Sequence, residues 1–179
     1  MPAKTNHHPR SLIVRPSPLD RRKAILSFGP LSIKAALGRS GITSLKREGD
    51  GGTPRGTLRI LYAYRRGERN GHLPTPLPTR RIKADMLWCD ASEHPAYNRP
   101  VKAPFVASHE KLLRQDRLYD VCVVLDWNIR QRRRGCGSAI FFHLAKPGYQ
   151  PTEGCIAVSL RDMQRLLPHL RPGTKIRIP

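Results

Sequence analysis

The chain has 179 residues, a length that suits one domain, or one domain with a ragged start, and is enough to bury a core. Its 33 Lys+Arg against 13 Asp+Glu give a formal charge of +20, which suits an anionic polymer as partner but speaks to solubility and steering rather than to fold or chemistry. The four cysteines, at 89, 122, 136 and 155, form no CxxC pair and no small disulfide framework. Cys89 and His94 are too few ligands for zinc, so neither a metal nor a cofactor is expected.

Residues 1–10 are polar and proline-bearing and read as a disordered tail ahead of a domain over 11–179. They carry no charged-then-apolar leader pattern, and no window nears the roughly eighteen apolar residues a membrane span needs. The chain as written is therefore expected to stay in the cytoplasm, as a monomer away from membranes, or to be periplasmic if its N-terminus is incomplete. Ser11 to Arg15 reads as a first strand, and Lys23–Gly29 and Leu31–Gly38 as a hairpin turning at Gly29-Pro30. A polar loop follows from Lys46 to Pro54, and Gly56 to Tyr64 alternates as a half-buried strand.

From Arg65 to about Ser108 the sequence is rich in Pro, Arg and His, with little periodicity, and reads as a long loop. Two clusters within it, Trp88-Cys89-Asp90 and Tyr97-Asn98-Arg99, have the chemistry to line a cleft for a polar peptide, which makes Trp88, Tyr97, Asn98 and Arg99 candidate substrate-binding residues. The competing expectation is a loop tucked onto the core by Trp88 and Tyr97. Tyr119 to Trp127 is an apolar strand in which Cys122 packs as a small hydrophobe, and Arg130 to Arg134 is a basic turn. Near the end, Ser159 with Asp162 forms a helix start, and Met163, Leu166, Leu167 and Leu170 fall at helical spacing. Pro172-Gly173 stops that helix before a last strand, Thr174 to Ile178.

The chemistry concentrates between Gly137 and Ser159. A short apolar strand ends in His143, a Pro/Gly-broken loop follows, and a Gly154-Cys155 step enters a second apolar run. An imidazole within reach of a thiol takes its proton and leaves a strong nucleophile. Gly154 permits a sharp turn that aims backbone N–H groups, those of Gly154 and Cys155, at the oxyanion of a tetrahedral intermediate.

This stretch resembles the active-site segment of the L,D-transpeptidase (YkuD-type) family: a strand-end His, a loop, then Ser/Thr-His-Gly-Cys, an apolar residue and Arg. Thr152, Gly154, Cys155 and Ile156 match, whereas Glu153 stands in place of the second His and Ala157 in place of the Arg. Leu144 stands where the family often has Gly or Ser, so a group orienting the imidazole from there must be a backbone carbonyl. Thr53-Pro54-Arg55-Gly56-Thr57 resembles the family's Thr-Pro-x-Gly-x segment, and Ser159-Leu160-Arg161-Asp162 its Ser-x-x-Asp, so the resemblance runs from about Ser11 to Ile178.

The resemblance implies a mostly-β domain, a YkuD-like β-sandwich of mixed sheets with one helix after the cysteine. It implies Cys155 as nucleophile and His143 as base, with Thr152 and Glu153 beside the substrate, a peptidoglycan stem tetrapeptide or muropeptide. Release of D-Ala by water, an L,D-carboxypeptidase activity in muropeptide recycling, is the expected outcome, with transpeptidation as the alternative. Carbapenems, which acylate the cysteine of this family, are the expected inhibitors. From a different class, a basic nucleic-acid-binding protein without catalysis is the alternative, although no helix-turn-helix, zinc finger or interleaved aromatic stripe supports it.

Overall fold

The computed structural model describes residues 11–179; the tail expected over residues 1–10 lies outside the described residues. Strands β1 (Ser11–Pro16), β2 (Lys23–Phe28) and β3 (Leu31–Ala36) open the fold, with Phe28 opposite Leu31 across the Gly29-Pro30 turn. Two-residue strands β4 (Ile42–Thr43) and β5 (Thr53–Pro54) pair in parallel at the ends of the polar loop. The long β6 (Gly56–Arg65) follows, then four short strands: β7 (Thr79–Arg81), β8 (Met86–Cys89), β9 (Arg99–Lys102) and β10 (His109–Lys111). The apolar β11 (Val121–Leu125), β12 (Phe141–Leu144) and β13 (Ile156–Val158) lead to the helix α1 (Leu160–Leu166) and to β14 (Lys175–Ile178).

Among the described residues, nine strands form one mixed sheet in the order β11-β12-β13-β3-β2-β1-β14-β6-β7. The first half of β6 pairs with β14 and its second half with β11, so the sheet closes on itself into a barrel-like ring. Alternation then decides what fills it. Leu12 and Val14 of β1, Leu26 of β2, Leu58 and Ile60 of β6, Phe142 of β12, and Ile156 and Val158 of β13 point into the main core with the helix residues Met163 and Leu166. On the opposite face, Tyr64, Cys122, Val124 and Phe141 form a second cluster with Trp88 of the small sheet β10-β8-β9 and Leu112 just past β10. This second layer is why β11 is buried at all five positions and reads as a continuous apolar run.

The helix starts as its sequence dictates. The Ser159 hydroxyl accepts the Asp162 N–H at 3.1 Å and donates to the Asp162 carboxylate at 2.8 Å. It is short because Pro168 has no N–H to continue it, and the chain tightens into a 3-10 turn over Leu167–His169. Met163, Leu166, Leu167 and Leu170 are all buried.

The segment from Arg65 to Ser108 differs from the single long loop expected. It holds β7, β8 and β9, strands of three or four residues that show no alternation to read: Thr79–Arg81 is exposed throughout, and Met86–Cys89 is apolar throughout. Among the described residues no helix is long and apolar enough to cross a membrane.

Candidate active site

Strands β12 and β13 run parallel, with Phe142 beside Ile156 and His143 beside Ala157. The pleat sends Phe142 and Ile156 into the main core, so their neighbours His143 and Cys155 face the other way. Both line one cleft of about 330 Å³. Each is nearly buried, at 4% and 7% exposure.

The loop between them is anchored on the segment just after β3. Thr152 exchanges backbone hydrogen bonds with Leu37 and Arg39, and its hydroxyl accepts the Gly154 N–H at 3.1 Å and donates to the Cys155 carbonyl at 2.7 Å. Of the two N–H groups expected to face an oxyanion, that of Gly154 is thus already bonded within the loop. Gly154 itself has φ +133°, and a Cβ there would stand 2.8 Å from the Gly52 carbonyl oxygen. Only glycine fits this close approach. Glu153 projects outward and pairs with Arg39 at 2.8 Å.

The thiol is held by backbone. Cys155 Sγ donates to the Ala139 carbonyl and accepts the Phe141 N–H, both at 3.3 Å. Ala139 lies in the left-handed region, φ +51°, an uncommon place for a residue with a Cβ. Asn98 supports it there: its Oδ1 accepts the Ala139 N–H at 3.1 Å and the Trp88 Nε1–H at 2.9 Å, while its Nδ2 donates to the Trp127 carbonyl at 3.1 Å.

Burial pushes the Cys155 thiol up to about 12, against the opposing effect of the Phe141 N–H. Burial likewise pushes the His143 imidazole down to about 4, against the Leu144 carbonyl that accepts its Nδ1 proton. At neutral pH the resting pair is therefore a thiol and a neutral imidazole. The orienting group is the backbone carbonyl expected at Leu144, at 2.8 Å.

Behind the imidazole, Tyr119 sets its ring edge-on to His143, with centroids 5.3 Å apart. Its hydroxyl donates to Glu110, and Arg114 donates to Glu110 at 2.8 Å and forms a bidentate hydrogen-bonded pair with Asp116 at 2.9 and 2.7 Å. Burial raises the Glu110 carboxyl above its ordinary range, with Arg114 opposing. The sequence did not single out Tyr119, Glu110 or Arg114 for a site; nothing local marks them, because β10 and β11 reach the cleft only in three dimensions. Asp90 also lines the cleft, and it sits in the Trp88-Cys89-Asp90 cluster that the sequence flagged.

Of the residues expected to bind substrate, Thr152 and Glu153 line the cleft. Trp88, Tyr97 and Asn98 do not, being 1%, 2% and 0% exposed. Their polar atoms are satisfied inside the protein: the Tyr97 hydroxyl bonds Glu48, which also accepts from Ser138 at 2.8 Å. This is the tucked loop, and these side chains brace the cleft wall from behind. Arg99 is exposed on β9, outside the cleft lining. Among the described residues no group of His, Cys, Asp and Glu is arranged to hold a metal ion.

A mostly-β domain with a thiol and an imidazole opening into one cleft belongs to the thiol-and-imidazole class of sites. A family model for the L,D-transpeptidase catalytic domain, YkuD, matches residues 20–178, and the chain belongs to that family. Its members are cysteine enzymes that act on peptidoglycan stem peptides. No curated protein and no solved structure matches the chain.

Proposed function

We propose that the protein is a cysteine L,D-carboxypeptidase that releases D-Ala from peptidoglycan stem tetrapeptides, with the layered sheets serving as the family's β-sandwich. The observation that carries this is the shared cleft: Cys155 Sγ lies between Ala139 and Phe141, and His143 has Nδ1 committed to Leu144 and Nε2 left as acceptor.

Sγ attacks the carbonyl between the L-centre of meso-diaminopimelate and D-Ala, and His143 Nε2 takes the thiol proton. Because the resting pair is neutral, that proton moves with the attack. The Cys155 N–H, with Gly154 bonded to Thr152, is the proposed backbone donor to the oxyanion. His143 then gives the proton to the departing amine, leaving an acyl-thioester. Water, deprotonated by His143, attacks the thioester, frees the tripeptide acid and restores the thiol.

Two substitutions support water as acceptor. Where the family pattern has a His and an Arg beside the nucleophile, this chain has Glu153, paired with Arg39 at the cleft, and the fully buried Ala157, so neither the imidazole nor the guanidinium is there to hold an acceptor peptide. Transpeptidation is the other fate of the same acyl-enzyme. Mass spectrometry of purified disaccharide-tetrapeptide incubated with the protein, with and without an amine acceptor, separates the two. Tripeptide and free D-Ala are expected; dimer forming as fast as tripeptide overturns the hydrolytic assignment.

A further inference from the structure

Lysine is seldom fully buried, because removing an ammonium from water is costly unless partners replace the solvent. Lys46, in the loop between β4 and β5, has a side chain only 3% exposed. Its ammonium donates to the Arg47 carbonyl at 2.9 Å and to the Asp50 carboxylate. An ammonium has three protons, and the third has no partner among the described residues.

Two glycines let the side chain reach its place. A Cβ on Gly137 would stand 2.9 Å from Lys46 Cγ and Cε, so the stem passes where any side chain would block it. A Cβ on Gly154 would stand 3.5 Å from Lys46 Nζ, which puts the charge directly behind the Gly154-Cys155 step with no side chain between. Asp50 is fixed in turn by the Arg47 and Gly52 N–H groups, at 2.7 and 2.8 Å, and with the Lys46 bond these hold its carboxyl below the ordinary range despite burial. The loop delivers a buried, counter-charged cation to the backbone that carries the thiol.

The other charged and titratable groups around Cys155 come from every wall. Glu48 shares the polar loop with Lys46 and Asp50, Asp90 follows β8, Glu110 lies on β10 with Arg114 just beyond it, Tyr119 precedes β11 and Cys122 lies on it, His143 is on β12, and Lys146 and Glu153 come from the loop after β12. Arg114 is a second cation whose field favours the Cys155 thiolate, and it is already bonded to Glu110 and Asp116.

We propose that Lys46 is a positioning residue for the acyl-transfer reaction: its ammonium, held by Asp50 behind Gly154, supplies the positive field that favours the thiolate formed as His143 takes the proton. Asp50 sets how much of that field the sulfur feels. This rests on Cys155 being the nucleophile, but its test reads the thiol directly and needs no substrate.

The test is the rate at which iodoacetamide alkylates Cys155 in the full chain, followed by peptide mapping across pH, with circular dichroism to check folding. Lys46→Met lowers the rate near pH ~8 by about tenfold, the effect of one pKa unit on thiolate fraction, and Lys46→Arg restores most of it. Asp50→Asn removes the opposing charge and raises the rate. A role in packing alone moves Lys46→Met and Asp50→Asn in the same direction. The proposal is overturned if Lys46→Met stays within about twofold of wild type or if Asp50→Asn slows alkylation. Should Lys46→Met fail to fold, the sign of the Asp50→Asn change decides alone. Failure of the carboxypeptidase assignment would show separately, as no D-Ala release by the wild type while the alkylation rates still follow the charge at positions 46 and 50.

Discussion

His143 donates its Nδ1 proton to the carbonyl oxygen of Leu144, 2.8 Å away, and since a carbonyl only accepts, the bond leaves Nε2 as the lone-pair nitrogen. The adjacent residue thus selects the tautomer that a proton acceptor needs. No side-chain carboxylate is required, which fits Leu144 at that position.

Replacing Cys155 by Ala or Ser is expected to abolish D-Ala release and leave the fold intact. The side chain bonds only backbone groups that stay in place without it, Ala139 and Phe141. Circular dichroism and product analysis check this together, and wild-type turnover in a folded Cys155→Ala protein would end the nucleophile assignment.

His143→Gln is expected to lower turnover by about 10²–10⁴-fold, the range for a lost general base. In the wild type, activity should fall as pH drops through about 4, where the buried imidazole takes up its proton, and not near 6.5. A kcat/KM profile from pH ~3 to ~8 locates that limb.

The same imidazole links stability to pH. The unfolded chain binds a proton on His143 near 6.5, the folded chain near 4, so the stability from keeping it neutral is full above 6.5 and is lost as pH falls towards 4. The whole effect is on the order of 3 kcal/mol. Glu110, whose carboxyl burial raises, works in the opposite sense, so urea midpoints must be compared with His143→Gln. The variant should show a shallower acid loss.

Asn98→Ala removes three hydrogen bonds, one of them fully buried, and leaves an alanine at φ +55°. A cost on the order of 3 kcal/mol is expected by denaturant titration. Turnover should drop as well, because Ala139 loses the group that fixes its carbonyl against the thiol.

A carbapenem should give a stoichiometric mass adduct at Cys155, with Cys89, Cys122 and Cys136 unmodified. Cys89 and Cys122 are fully buried, and Cys136 does not line the cleft. Adducts spread over several cysteines would indicate general thiol reactivity instead.

Local chemistry made much of this legible beforehand. The Gly29-Pro30 hairpin, the Ser159 cap, and the order of His143 strand, loop and Gly154-Cys155 follow from turn residues and apolar runs that need no distant partner. Trp88 and Tyr97 were ambiguous because an aromatic beside polar residues can line a cleft or brace one, and only the contacts to Asn98 and Glu48 decide. Lys46 was invisible for a different reason. Its burial depends on Gly137 and Gly154, more than ninety residues away, leaving space that a sequence cannot display.

Strand β14 lies between β1 and β6, so the ring closes only when residues 175–178 join two strands made far earlier. On the ribosome, β1 and β6 wait with open edges while more than a hundred residues are synthesised, a state prone to pairing with other chains. Substitutions in β14 should therefore lower soluble yield in the cell by more than their effect on the finished protein's stability.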